Sequence, residues 1–501
     1  MNGTEYRPHS PDPRGTSPVG SPRRKSRRVP PPLRRLEDGI QDRSYRGREG
    51  EGGLRSLRVR CPEWTPNLAD AIDGRFRDIN AISGFRIVSP FLCIDRVSFL
   101  GISSVPNSET NRPMIEKYLN ELSRFPHRMS GTRQDSQAAD WIRDVFKTLG
   151  LETSAQRLFV PGRLAFGIAL NIMACFAAFF FVNRPLALSF AAYGISLFSL
   201  WGELTFSFHF LRRIIPPHRS CNVEAAIAAG NGLKKTVVIM AHHDTPGTGL
   251  LYRGEVAGRV APHLRNIPAP LGRIYFPPFL GAMGLGLAVA LRPLAWTRPI
   301  SAVLTGLSAF LLCAVLFLVV QWGLSRPSTG ANDNGSGILV LLELAERFSK
   351  RPAGNIAVRL LATGAEEAGF FGVKAFLKNH RETAGSDLFF INLDGVGGGE
   401  LHWAIGEETL QRIPYPQTGL DLLSDVERKS GLAVLSRVPI AAPTDAGPVA
   451  RMGFPVLTLI GLENGKIPPN FHQASDTFDR LDPRTLIRAA DIVEQLVRHC
   501  G

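Results

Sequence analysis

The side chains able to do chemistry lie far apart along the chain, and each falls where an extended or helical run stops. His242, His243 and Asp244 follow the apolar stretch Thr236 to Ala241, and Asp333 sits in the turn Thr329-Gly330-Ala331-Asn332-Asp333-Asn334-Gly335-Ser336-Gly337. Glu366 and Glu367 end the alternating stretch that starts at Ile356, Asp394 closes Asp387 to Leu393, and His472 lies in the loop Asn470 to Phe478. Carboxylates brought into one cleft would repel by several kcal/mol at reduced dielectric, so such a gathering requires a cation or a shared proton.

The elements that must position these groups read as one α/β pattern. A Gly- and Asn-rich turn hands Asp333 to the apolar helix Ile338 to Phe348. Ile356, Val358 and Leu360 then alternate as a strand that ends at Glu366 and Glu367. Asn222 to Ala229, Thr236 to Ala241, Asp387 to Leu393 and Pro455 to Ile460 are further strands, and ligands of open sheets collect beyond strand ends. Helical spacing appears at Met114 to Phe125 and Gln137 to Leu149, followed by a strand from Leu151 to Val160. Side chains alternate along an extended chain, so His242 and Asp244 point one way and His243 the other. His242 is therefore the ligand candidate, with Asp244 fixing its ring from behind.

The chain has 501 residues, 44% of them hydrophobic, enough for one large α/β core or two domains. Its net charge of +14 is concentrated at the N-terminus, where residues 1–60 carry 15 Lys+Arg against 7 Asp+Glu. That Pro/Gly/Ser-rich tail buries too little apolar surface to offset ordering and is expected to be disordered. Its run Arg23-Arg24-Lys25-Ser26-Arg27-Arg28 reads as solvated rather than as a specific nucleic-acid site. Residues 61–111 have no assignable role, and the folded unit is expected to begin near Met114, with the α/β pattern from 112. No apolar segment follows the N-terminus as a cleavable signal would require. The six cysteines lack any paired spacing and read as reduced thiols.

Two interruptions of the α/β pattern are apolar. Leu164 to Val182 and Pro185 to Trp201 are charge-free on either side of Asn183-Arg184; Tyr275 to Leu291, weakened by Pro277 and Pro278, and Pro299 to Trp322 form a second pair. At about 1.5 Å per residue these runs are long enough, or nearly so, to cross roughly 30 Å of hydrocarbon. They predict two transmembrane helical hairpins, 164–211 and 275–324, separating the soluble pieces 112–160, 212–274 and 325–501. Each hairpin returns the chain to the side it left, and flanking arginines such as Arg157, Arg212 and Arg326 favour a cytoplasmic catalytic face.

Ala241-His242-His243-Asp244, Gly330 to Gly337, Ala365-Glu366-Glu367-Ala368-Gly369, Asn392-Leu393-Asp394 and Phe471 to Thr477 resemble the successive motifs of the M28 family of zinc aminopeptidases. The likeness begins at His127-Arg128-Met129-Ser130-Gly131-Thr132 and runs to about Arg484, interrupted by the apolar pairs. It implies a mixed central sheet flanked by helices and two metal ions bridged by Asp333. One ion would also be held by His242 and Asp394, the other by Glu367 and His472, with Glu366 as general base. Asp445 resembles a further acidic wall position without an assigned role. His243 stands where the family often has an aromatic, and soluble members lack the apolar hairpins.

The donor set suits borderline divalent ions, zinc first and Mn²⁺ or Co²⁺ next. Adjacent side chains diverge, so Glu366 is poorly placed to share an ion with Glu367 and better placed to move a proton. Singly, each residue has a plainer use: Asp333 as a helix cap, Glu366 and Glu367 as a helix N-terminal pair, His242 as a core histidine, Asp394 as a turn residue, and His472 as a partner of Asp476. The five together, in order and each at an element end, point to a membrane-anchored metallopeptidase, and the resemblance implies an exopeptidase that hydrolyses N-terminal peptide bonds through a dinuclear zinc-activated hydroxide. A glutaminyl-cyclase-like single-zinc transferase and a non-catalytic membrane scaffold on a peptidase fold are the alternatives. The expected partners are a peptide substrate and the lipid bilayer.

Overall fold

The computed structural model describes residues 112–180, 186–230, 232–252, 275–380, 388–463 and 465–501. The basic tail 1–60, the segment 61–111 and the Arg184 turn lie outside them. The chain opens with α1 (Arg112–Leu122) and α2 (Arg133–Thr148). The second starts earlier than apolar spacing predicts because the Thr132 hydroxyl caps it, accepting from the Asp135 amide at 3.2 Å. Then come β1 (Glu152–Pro161), the apolar helices α3 (Leu164–Phe180) and α4 (Leu186–Leu204), β2 (Pro217–Ile227) and β3 (Lys235–His242). β2 lies upstream of the expected Asn222 to Ala229 because it pairs with β1 along its whole length, Pro161 opposite Pro217 and Glu152 opposite Ala226.

The second apolar pair is α5 (Phe276–Leu291) and α6 (Arg298–Leu324). Pro277 and Pro278 occupy the first turn of α5, where the missing N–H groups have no intrahelical acceptor, so the prolines begin this helix rather than break it. Next are α7 (Ser336–Lys350), β4 (Ile356–Thr363), α8 (Phe371–Asn379) and β5 (Leu388–Asp394). The chain ends through β6 (Glu400–Glu408), β7 (Arg412–Pro414), α9 (Gln417–Ser430), β8 (Arg437–Ile440), α10 (Ala446–Arg451), β9 (Val456–Leu462) and α11 (Pro483–His499). Asp482 caps α11 by accepting from the Arg484 amide at 2.9 Å.

The strands form one mixed sheet in the order β1-β2-β4-β3-β5-β9-β6-β7, with β8 beside β6. Its centre, β4-β3-β5-β9, is parallel, and the pairs flanking it are antiparallel. Central parallel strands are covered on both faces, which is why β3 is a continuous apolar run. Val237, Ile239 and Ala241 face a core built with α1, α2, α7 and α11. Val238 and Met240 face the other core, which includes α3, α8 and α10.

The four apolar helices pack against one another on that second side. Among the described residues two helices are long and apolar enough to cross a membrane, Ala187–Leu204 and Ala295–Leu324; Leu164–Phe179 and Phe276–Leu291 are apolar but shorter. Val303, Leu307, Phe310 and Phe317 along α6 are 64–76% exposed, an apolar surface far larger than scattered exposed residues would give. The four described cysteines, Cys175, Cys221, Cys313 and Cys500, are free thiols.

Candidate metal centre

Register brings the strand ends level. His242 lies opposite Thr363, and Met240 opposite Asn392, so β3, β4 and β5 deliver His242, the Glu366 loop and Asp394 to one edge of the sheet. Asp333 enters from the loop before α7, in which the Asp333–Asn334 peptide is cis. That loop is held at both ends. The Asp476 carboxylate accepts the amides of Asn332 and Asp333 at 2.7 and 3.0 Å. The Asn334 side chain donates to the Leu393 carbonyl at 2.8 Å and accepts from the Gly395 amide at 3.2 Å. Asp333 is thereby tied to the loop of His472 and to the strand of Asp394.

The five ligand-type side chains meet. Asp333 Oδ1 is 3.3 Å from His242 Nε2, and Asp333 Oδ2 is 3.3 Å from His472 Nε2. His472 Nε2 is 3.5 Å from Glu367 Oε1, and His242 Nε2 is 4.0 Å from Asp394 Oδ1. Two donors each about 2.0–2.1 Å from one tetrahedral ion stand roughly 3.3–3.4 Å apart, so these separations fit ligands aimed at shared cations. Asp333 Oδ2 is buried with no well-formed hydrogen bond among the described residues, only the 3.3 Å approach of His472 Nε2, the kind of oxygen a cation would satisfy. The donor set therefore fits zinc. Glu366 also offers an oxygen within 4.8 Å of ligand atoms of His242 and Asp394, so it faces the same space.

The electrostatics carry the same demand. Burial raises the Glu366 and Glu367 pKa values well above the carboxylate range, with the neighbouring acids adding to it. Burial pushes Asp394 up to about 7, with Asp333 and Asp445 adding to it. Burial opposes the charge on Asp333 too, but the close imidazoles of His242 and His472 outweigh it and hold it far below the usual range. His242 is raised well above an ordinary imidazole: burial works against its charge, and Glu366, Asp333 and Asp394 overcome it. Such a gathering of buried acids calls for positive charge, which a bound cation would supply.

Asp244 differs from expectation in how it acts. Its main-chain oxygen meets His242 Nδ1 at 3.1 Å, while its carboxylate stands 3.8 Å from that nitrogen. The carboxylate instead accepts the amides of Glu366 and Glu367 at 3.0 and 3.2 Å, anchoring their loop. His243 turns away, to the Cys221 carbonyl at 3.0 Å and to Asp135 at 3.3 Å. Asp445 is buried beside the site and accepts from the Thr363 hydroxyl. Asp476 serves the Asp333 loop rather than His472.

Several wall residues carry no sequence signal of chemistry. Tyr252 lies over His472 at 4.4 Å between ring centroids and meets Trp322 at 5.8 Å, and Phe471 stacks on His472 at 4.0 Å. Tyr275 packs edge-on against Phe206 at 5.5 Å. Phe206, Tyr275 and Trp322 lie in or beside the apolar runs and Phe471 opens the motif that carries His472, the only hints the sequence offers. Arg128, fully buried, binds the carbonyls of His243, Thr329 and Gly330 at 2.8, 3.1 and 2.7 Å and so staples the His242 strand end to the Asp333 loop.

Residues 319–497 match the model of peptidase family M28. The chain is 29% identical over 189 residues to aminopeptidase YwaD of Bacillus subtilis, an alignment covering 36% of this chain and 40% of the relative. It is 30% identical over 187 residues to the BOS complex subunit NCLN of Rattus norvegicus, covering 34% and 33%. The chain thus spans about a third to two fifths of the length of the curated relatives it matches. A Zn-dependent exopeptidase from Parabacteroides distasonis superposes with a TM-score of 0.45 at 15% identity, covering 79% of this chain and 99% of that one. The matched stretch supplies Asp333, Glu366, Glu367, Asp394 and His472, and β3 adds His242 from upstream; over residues 319–497 the chain is similar to peptidase family M28.

Proposed function

We propose that the chain is a membrane-anchored, multi-pass metallo-exopeptidase that removes N-terminal residues from peptides. The observation that carries this reading is the Asp333 carboxylate, whose two oxygens each lie 3.3 Å from a different imidazole. In this reading a pair of zinc ions would be held by Asp333 between them, with His242 and Asp394 as the further residues for one and Glu367 and His472 for the other. Ions bound there would supply Lewis acidity toward a peptide carbonyl and a water acidified toward neutrality. Glu366 is the proton carrier: its buried carboxyl faces the cleft, and the paired amide bonds to Asp244 fix its backbone. Asp244 is a positioning residue, holding both the Glu366 loop and the His242 ring.

The membrane part rests on α3 to α6. The exposed apolar surface of α6 needs a nonaqueous partner, and lipid is the one that fits helices with almost no charge. Two hairpins leave all parts of the peptidase domain on one side of the bilayer, which the flanking arginines make the cytoplasmic side. Zinc analysis of the detergent-purified full chain, run beside a panel of aminoacyl amides and an N-terminal Gln peptide, tests the reading. About two zinc ions per chain with amide hydrolysis supports it. About one zinc with cyclisation of Gln points to a cyclase, and neither metal nor turnover to a non-catalytic scaffold.

A further inference from the structure

The first apolar pair ends in a buried charge cluster that none of the roles above uses. Glu203 is the single acidic residue between Leu164 and Leu204, and both it and Arg212 are fully buried. Arg212 Nε lies 3.0 Å from Glu203 Oε1, and Nη2 lies 2.8 Å from His209 Nδ1. The remaining arm, Nη1, donates to the Ala368 carbonyl at 2.7 Å. Next to it, Lys374 Nζ donates to the Phe206 carbonyl at 2.6 Å and the Gly369 carbonyl at 3.0 Å. Phe206 also packs against Phe370 at 4.9 Å. Gly167 of α3 leaves room for the pair, since a Cβ there would stand 2.5 Å from Arg212 Cδ and 2.8 Å from Glu203 Oε1.

The captured Ala368 and Gly369 carbonyls belong to the loop that carries Glu366 and Glu367. That loop closes on itself through the Gly369 and Phe370 amides, which donate to the Glu366 carbonyl at 2.7 and 2.8 Å. Asp244 holds the loop's leading end and Arg212 its trailing end. The desolvation cost of a buried ion pair cancels much of its attraction, so one placed at an apolar helix end needs a reason beyond stability. We propose that Glu203 and Arg212 are positioning residues that lock the Glu366–Gly369 loop to the end of the first apolar hairpin, making that hairpin a working part of the metal centre. The assignment rests on the metallopeptidase reading for its catalytic consequence, and on contacts alone for its structural one.

Arg212→Lys keeps a cation for Glu203 but cannot reach Glu203, His209 and Ala368 together; Glu203→Gln keeps volume and frees the guanidinium. Both are made in the full chain in nanodiscs, with Arg451→Ala as control. Arg451 also tethers the hairpin end, at Thr205 and Ser207, without touching the Glu366 loop. Zinc affinity by chelator competition and kcat are expected to fall roughly 10–100-fold in either cluster variant, the usual cost of disturbing groups behind a ligand. KM changes by less than about twofold, since ground-state binding is untouched. Hydrogen exchange of the zinc-free protein is expected to quicken about tenfold at Gly369 and Phe370 and not elsewhere. The control stays within about twofold on every readout. Exchange that is unchanged, or that rises evenly over the domain, overturns the assignment whatever the other readouts do. A wild-type chain with neither zinc nor turnover would sink the metallopeptidase reading instead, leaving the exchange result to judge the clamp.

Discussion

Glu366→Gln separates a proton carrier from a metal ligand, the two roles open to a carboxylate facing both His242 and Asp394. The substitution is close to isosteric and leaves the backbone bonds in place: the residue 366 amide still reaches Asp244 at 3.0 Å, and its carbonyl still receives Gly369 at 2.7 Å. Only the titratable oxygen is lost. The side chain is 7% exposed, so bulk water cannot readily take over the transfer. Loss of a positioned general base costs roughly 10²–10⁴-fold in rate. That is about 2.7–5.4 kcal/mol of barrier at 1.36 kcal/mol per tenfold. The assay is kcat on an aminoacyl amide with zinc content measured on the same sample, and the expected result is a fall of that size at unchanged zinc. Hydrolysis that survives at the wild-type rate refutes the base assignment, and a proportional loss of zinc would make Glu366 a ligand.

Further outcomes follow from other parts of the molecule. Asp333→Ala removes the one carboxylate shared by both imidazoles and should leave the chain with no tightly bound zinc; retention of one ion at wild-type affinity counts against bridging. Arg128→Met strips three buried carbonyls of their donor and should destabilise by about 3–5 kcal/mol in denaturant titrations, with a change under 1 kcal/mol counting against the staple. Burial raises Glu407 to about 8, against donation from Thr444 and Tyr415, so its protonated form belongs to the folded state. A raised carboxyl pKa gives stability that is whole below the unfolded value and lost as pH rises through the folded one. Thermal stability should therefore fall between about pH 5 and 8, and Glu407→Gln should flatten that slope. Leu307→Arg places a charge on the exposed side of α6 and should cost about 2.5–3.5 kcal/mol of insertion, read by alkaline extraction; full release of the wild-type protein by that treatment refutes a spanning α6.

The sequence by itself marked the side chains that meet at the sheet edge, because they sit at breaks in periodicity that survive any packing: Asp333 in a Gly-rich turn, Glu366 after an alternating strand, His242 at the end of an apolar run. It also yielded the alternation that turns His243 away from His242, since that follows from strand geometry alone. Tertiary structure decided what depends on groups distant in sequence. The start of β2 was set by pairing with β1, and the prolines of α5 became a beginning once the helix axis was fixed. Asp244 was found to hold the Glu366 loop because its carboxylate reaches amides more than a hundred residues away. Arg128, Asp476, Tyr252 and the Glu203–Arg212 pair are ordinary residues in a linear reading. Their work is to bind carbonyls, amides and rings that come within reach only when the sheet edge and the apolar helices are assembled.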